Sequence, residues 1–168
     1  MSNTKGYTLI ELIVVVILLG LIFSFAAPKF RDAVLTDDLK SATRRLIGKI
    51  GEMRSESIQK HVDHYLNFDL EKNGYWHVSG NVTPEGHTSA RDNNAVYLPE
   101  TVRITDIWFK DKGKKMAGDT AIRFTKDGYA QQSAIHLESE DGREFTIVVN
   151  QFLPKVKVIE SYVEFEDI

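Results

Sequence analysis

The chain contains no cysteine at all. That absence removes disulfide stapling, thiolate nucleophiles and cysteine-ligated zinc in one stroke. Also missing are the glycine–serine nucleophile turn, a His-Glu-x-x-His helix and a phosphate-cradling glycine loop, so the familiar hydrolase, metalloprotease and nucleotide-binding signatures have no representative here. There is no excess of positive charge: the formal net charge is −3, which makes the chain a poor general binder of nucleic acid. No internal repeat or low-complexity segment interrupts its 168 residues. What remains is an anchored or structural protein rather than an enzyme, with no cofactor or metal called for.

One feature is present in abundance. From Tyr7 to Ala27 the residues are apolar or small, apart from Thr8, Ser24 and a single carboxylate, Glu11, and a short polar leader ending in Lys5-Gly6 precedes them. At about 1.5 Å per helical residue the run reaches roughly 31 Å, the thickness of a bilayer's hydrocarbon core. A charged group within such a span costs about 2.5–3.5 kcal/mol to insert, so a chain that keeps one uses it, unless it sits near the headgroups and snorkels to water. A secretory signal peptide would end in a cleavage site with small residues at alternate positions. Ser24-Phe25-Ala26-Ala27-Pro28 is a poor version of that. Beyond it, Phe30, Val34, Leu39, Ala42, Leu46, Ile50 and Met53 recur at helical spacing, so the helix is expected to continue as an amphipathic one and to end near Ser57 to His61. Pro28 lies inside this pattern, where its missing N–H costs roughly 3 kcal/mol or a kink.

The stretch Lys5-Gly6-Tyr7-Thr8-Leu9-Ile10-Glu11, the apolar run Leu12 to Ala27 with Gly20 inside it, and Pro28 resemble the type IV pilin-like proteins, which include the pseudopilins of type II secretion systems. The resemblance implies that a prepilin peptidase cuts after Gly6 and methylates Tyr7, that Glu11 pairs with a neighbouring subunit's terminal ammonium as a register device, and that Pro28 marks a bend or a segment that melts on packing. The lack of cysteine, and of the calcium loop of the major pseudopilin, leans toward a minor subunit.

Past His61 the texture changes to short strands. Tyr65–Leu70 and Tyr75–Val78 flank Lys72-Asn73-Gly74, a strong hairpin signal. Gly80 to Asn94, polar and holding Pro84 and Gly86, reads as a long loop. Strands are then expected at 95–98, 102–109, 121–124, 133–137, 144–149, 155–159 and 162–165, divided by turns at Lys126-Asp127-Gly128, Glu140-Asp141-Gly142 and Pro154. The fold class is therefore α+β: a long N-terminal helix, membrane-spanning and then amphipathic, packed on a C-terminal antiparallel β domain of two sheets or a sandwich. The expected organisation is a leader at 1–6, a membrane and assembly helix at 7–27, its amphipathic continuation at 28–61, and a periplasmic β-rich domain at 62–168. Within the last, Ile122-Arg123-Phe124, Asp127-Gly128, Ala134–Leu137, Asp141-Gly142 and Phe145–Val149 resemble the minor pseudopilin H and FimT-like group.

Other clusters have two readings each. His61 and His64 could share a helix face and hold a metal, or be solvated histidines at a frayed helix end. Glu138, Glu140 and Asp141 could clasp calcium, or form an acidic turn that needs no ion. Lys110, Lys112, Lys114 and Lys115, the only dense basic cluster, could touch phosphate, anionic lipid or DNA, or be a solvated loop. Trp76, Trp108 and Phe109 are expected in the core or on a sheet face rather than as a ligand platform. The function that fits is a minor pseudopilin of a type II secretion filament in the bacterial inner membrane. Its implied partners are other pseudopilins, the prepilin peptidase, the assembly platform, the bilayer and secreted cargo, with nucleic acid disfavoured. The alternatives are a minor pilin of an adhesion or DNA-uptake system, acting through the lysine cluster, and a signal-anchored periplasmic ligand-binding domain, which would stay uncleaved.

Overall fold

The computed structural model describes residues 9–80 and 84–164, with the side chains of 25–37 and 84–88 outside the described set. Two compact units are present, Met1–Val34 and Leu35–Ile168. Helix α1 runs over Leu9–Lys60, its backbone helical through Pro28. In the first unit the side chains from Leu9 to Ser24 are all exposed in the single chain, Leu9 at 77 % and Phe23 at 67 %. Among the described residues no helix is long and apolar enough to cross a membrane; the described side chains of the apolar run stop at Ser24, short of the span read from the sequence.

In the second unit, Leu39, Ala42, Leu46, Ile50 and Met53 of α1 are buried at the three- and four-residue spacing expected of an amphipathic helix. The helix stops because His61 takes a left-handed backbone with φ of 53° and the N–H of Val62 closes back on the Ser57 carbonyl at 3.3 Å, a Schellman-type end with histidine where glycine is usual.

Among the described residues nine strands follow, in two antiparallel sheets. The first sheet contains β1 (His64–Asp69), β2 (Gly74–Ser79), β3 (Val96–Tyr97) and β6 (Asp119–Phe124), in the order β3-β2-β1-β6. The second contains β4 (Val102–Phe109), β5 (Gly113–Lys115), β7 (Ser133–Ser139), β8 (Glu144–Val149) and β9 (Lys157–Ile159), in the order β5-β4-β7-β8-β9. Leu66 and Phe68 of β1, Ile122 and Phe124 of β6, Ile107 and Phe109 of β4, Ile135 of β7 and Ile147 of β8 join the helix residues in one core. Each such side chain contributes about 1.5–3 kcal/mol when fully buried.

The two sheets are tied at the β1–β2 hairpin. Asp69 Oδ1 accepts from the N–H groups of Glu71 and Lys72, turning the chain, and Asn73 then adopts φ of 55°. Its side chain reaches across to β4, donating to the Val102 carbonyl at 2.6 Å and accepting from the Ile104 N–H at 2.8 Å. Asn73→Gly keeps the left-handed backbone and removes only these two bonds; it is expected to lower unfolding stability by about 2 kcal/mol, read from denaturant midpoints. A change under about 0.5 kcal/mol would mean that water replaces the amide at no cost.

Three expectations are corrected. The segment Gly80 to Asn94 is not a loop throughout, because α2 occupies Pro84–Asn94. Proline suits a first helical position, where its absent N–H has no helical partner, and Arg91 at the far end binds Asp69 and, at 3.2 Å, Asp119 while its guanidinium lies 4.9 Å from the Trp76 ring. The stretch around Gly113, read as loop, is the short strand β5, with Gly113 at φ of 73° closing the β4–β5 hairpin. Tyr162 to Glu164, read as part of a strand, is irregular; Phe165 lies outside the described residues.

Candidate functional site

Gly6 and Tyr7, the expected processing residues, lie outside the described residues. Glu11 stands in the first turn of α1, where the helix's positive end favours a carboxylate. It is exposed among a continuous apolar surface from Leu9 to Phe23. Pro28 is part of the helical backbone, its side chain outside the described set. The arrangement is a solvent-incompatible helix surface carrying one acid near its N-terminus, which is what a helix needs if its partner is lipid or other helices and its one specific contact is a cation.

The lysine cluster does not act as a unit. Lys114 Nζ donates to the Tyr162 hydroxyl, lies 3.7 Å from Asp106 Oδ2 and 3.8 Å from Glu164 Oε1, and sits 4.9 Å from the Tyr162 ring centroid. These partners, the Tyr162 hydrogen bond first, hold its pKa above the usual lysine value. Lys110, Lys112 and Lys115 have no hydrogen-bond or ionic side-chain partner among the described residues.

Beside Lys114 is a buried polar row that the sequence reading passed over. Asp106 on β4, His136 on β7 and Thr146 on β8 are cross-strand neighbours in register. His136 Nδ1 is 2.7 Å from Asp106 Oδ1, and its Nε2 faces the Val163 carbonyl at 3.0 Å. A carbonyl only accepts, so the tautomer that bonds Val163 carries its proton on Nε2. Tyr162 stacks on the imidazole with centroids 4.1 Å apart and donates to Asp106 Oδ2 at 3.3 Å. Thr146 Oγ1 donates to the Ser161 carbonyl and accepts from the Val163 N–H. The segment Ser161–Glu164 is thus strapped over the second sheet by side chains instead of a strand ladder. The signal in the sequence was a titratable residue set directly beside large apolar ones, Asp106 before Ile107 in β4 and His136 between Ile135 and Leu137 in β7.

His61 and His64 share no helix face, since the left-handed turn at His61 separates them. His64 on β1 is 2 % exposed, so it is not a solvated end residue; among the described residues both its ring nitrogens lack a hydrogen-bond partner, with Glu56 Oε2 3.8 Å from Nδ1. Burial pushes the pKa of His64, and of His77 on the same face of the sheet, below the usual histidine value. A base whose folded pKa is depressed adds stability that is complete above its unfolded pKa and is lost as pH falls through and below it. The unfolding midpoint is therefore expected to fall between pH 7 and pH 5, and His64→Leu to flatten part of that slope. Equal slopes in the two proteins would exclude His64 as a source.

The acidic turn is internally paired. Glu138 accepts from Arg103 at 2.8 Å, and Asp141, bound by Arg143 and Ser139, has its pKa lowered to about 2. Among the described residues no three acidic, histidine or cysteine side chains converge as metal ligands. Trp76 and Phe109 are buried and Trp108 is half-buried.

Residues 1–27 match the prokaryotic N-terminal methylation motif. Two solved structures of the minor pseudopilin EpsH from the type 2 secretion system of Vibrio cholerae share the fold. They align with TM-scores of 0.53 and 0.57 at 10 % identity, over 74 % and 76 % of this chain and 98 % and 97 % of theirs. No curated protein sequence matches the chain significantly. A pilin-type N-terminal methylation motif and, at low identity, the fold of a minor pseudopilin therefore occur in one chain.

Proposed function

We propose that this protein is a minor pseudopilin, a structural subunit of the pilus-like filament of a type II secretion system. The observation that supports this best is the combination of the methylation motif at residues 1–27 with an EpsH-like α+β fold behind it. On this reading the chain enters the inner membrane with its leader in the cytoplasm. A prepilin peptidase cleaves between Gly6 and Tyr7 and methylates Tyr7, and the exposed face from Leu9 to Phe23 exchanges lipid for neighbouring subunits' helices. Glu11 matches the new terminal ammonium of a neighbour, and Pro28 gives the helix a place to bend or melt. The β domain projects into the periplasm, where other minor subunits or cargo meet it. No step requires a reacting side chain, a cofactor or a metal.

The test is to co-express the chain with a prepilin peptidase and determine the intact mass and N-terminal residue of the membrane-extracted product. A chain beginning at methylated Tyr7 supports the reading. An intact Met1 terminus, or cleavage near Ala27, overturns it in favour of an anchored or secreted β domain.

A further inference from the structure

The outer edges of the two sheets border a common cleft of about 810 Å³, within the range of roughly 300–1,000 Å³ typical of ligand-sized clefts. Strand β6 forms one wall and is the terminal strand of its sheet. The direction of its backbone groups follows from its neighbours. Leu70 N–H binds the Gly118 carbonyl on the β1 side, whereas the Arg123 carbonyl accepts from Gln131 N–H at 2.8 Å on the opposite side. Alternation then turns the N–H and C=O of Asp119 and Ala121 away from β1 and into the cleft. Beyond Arg123 this edge is covered by Ala130 and Gln131, so the open length is the portion around Ala121. Strand β5, the terminal strand of the other sheet, contributes Gly113 and Lys115.

The charges in the cleft are unequal. Arg123 is held by Asp63 at 2.6 Å, and Asp119, at 3.2 Å, shares Arg91 with Asp69. Asp111 accepts hydrogen bonds from Gln131 at 3.1 Å. Lys112 and Lys115 have no hydrogen-bond or ionic side-chain partner among the described residues, so they are the cleft's cations that no acid of the chain holds.

We propose that this cleft docks an extended, acidic segment of a partner protein, added as a strand along the free edge of β6 with its carboxylates facing Lys112 and Lys115. An unpaired strand edge offers alternate donors and acceptors that match another peptide backbone, and side chains at every second position of the added strand point to one side. Nucleic acid fits less well: phosphate oxygens can accept from the N–H groups of the edge but offer no donor to its C=O groups. The docking mode rests on the cleft alone and holds whether or not the chain assembles into a secretion filament.

The experiment uses the full chain in detergent micelles and a fluorescent heptapeptide of alternating valine and glutamate, followed by anisotropy. Saturable binding is expected, weakening as salt is raised, and reduced about tenfold or more when Lys112→Glu and Lys115→Glu are combined. Ala121→Pro removes an N–H that faces the cleft rather than β1, so it is expected to abolish binding while leaving the unfolding midpoint near that of the parent. Should that variant misfold, the same peptide methylated on alternate backbone nitrogens tests the edge from the other side and is expected not to bind. Absence of saturable binding overturns the proposal, as does equal binding of a valine–lysine peptide or undiminished binding of the N-methylated peptide. An oligothymidine that binds with the same lysine dependence and displaces the acidic peptide would replace it with a phosphate-reading surface.

Discussion

Asp106→Ala is expected to lower unfolding stability by about 3–5 kcal/mol and the thermal midpoint by roughly 10 °C or more, measured by denaturant and thermal unfolding. The carboxylate is 1 % exposed and serves His136, Tyr162 and Lys114 together. Truncating it leaves a buried ring nitrogen and a half-buried hydroxyl without their carboxylate partner, and such losses cost more than the intact bonds contribute. Asp106→Asn preserves the volume and one acceptor and should fall between the parent and the alanine variant. Because Tyr162 and Val163 hold Ser161–Glu164 through this row, amide exchange at Val163 should accelerate in the alanine variant more than exchange in β1. A loss of less than about 1 kcal/mol would show that the row is hydrated and contributes little.

If the chain is a filament subunit as proposed, Glu11→Ala is expected to leave cleavage after Gly6 intact and to reduce incorporation into the filament about a hundredfold. The sign of each effect differs. Losing the acid removes an insertion cost of about 2.5–3.5 kcal/mol, so membrane anchoring should hold or improve. A neighbour's terminal ammonium, however, would be stranded in a low-dielectric contact at about 3–5 kcal/mol. Site-directed crosslinking between subunits in membranes, paired with the N-terminal mass, separates the two. Glu11→Gln, similar in shape but uncharged, should behave like the alanine variant if charge is the determinant. Wild-type crosslinking by both variants would remove Glu11 from assembly.

The helix and most strands were legible because their signals are local. Leu39, Ala42, Leu46, Ile50 and Met53 repeat at helical spacing, and Val102 to Phe109 and Glu144 to Val149 are bounded as expected. What escaped depends on distant residues. Nothing apolar and periodic marks Pro84–Asn94 as a helix; part of its support comes from Arg91, gripping acids of β1 and β6. Spacing alone put His61 and His64 on one face, and a single left-handed residue put them on different elements. The lysines looked like one cluster in the sequence, yet a hairpin turns Lys114 to the Tyr162 side and leaves Lys112 and Lys115 lining the cleft. Asn73 was visible as a turn residue, but its hold on Val102 and Ile104 belongs to a pairing of sheets that no local pattern encodes.

Arg54 has a last consequence. Its guanidinium, on the buried face of α1, donates to the Leu153 carbonyl and to the Asn150 carbonyl at 2.6 Å, tying the helix to the connection between β8 and β9. Burial lowers its pKa from the usual arginine value, and arginine remains charged throughout the physiological range. In a chain without cysteine this clasp, together with the stack of Tyr162 on His136 and the Lys114–Glu164 pair, closes the C-terminal region without a disulfide. The fold is thereby complete without an oxidation step: no oxidase or isomerase has a bond to make, reducing and oxidising buffers are equivalent to it, and the closure opens and reforms on the timescale of unfolding instead of thiol exchange.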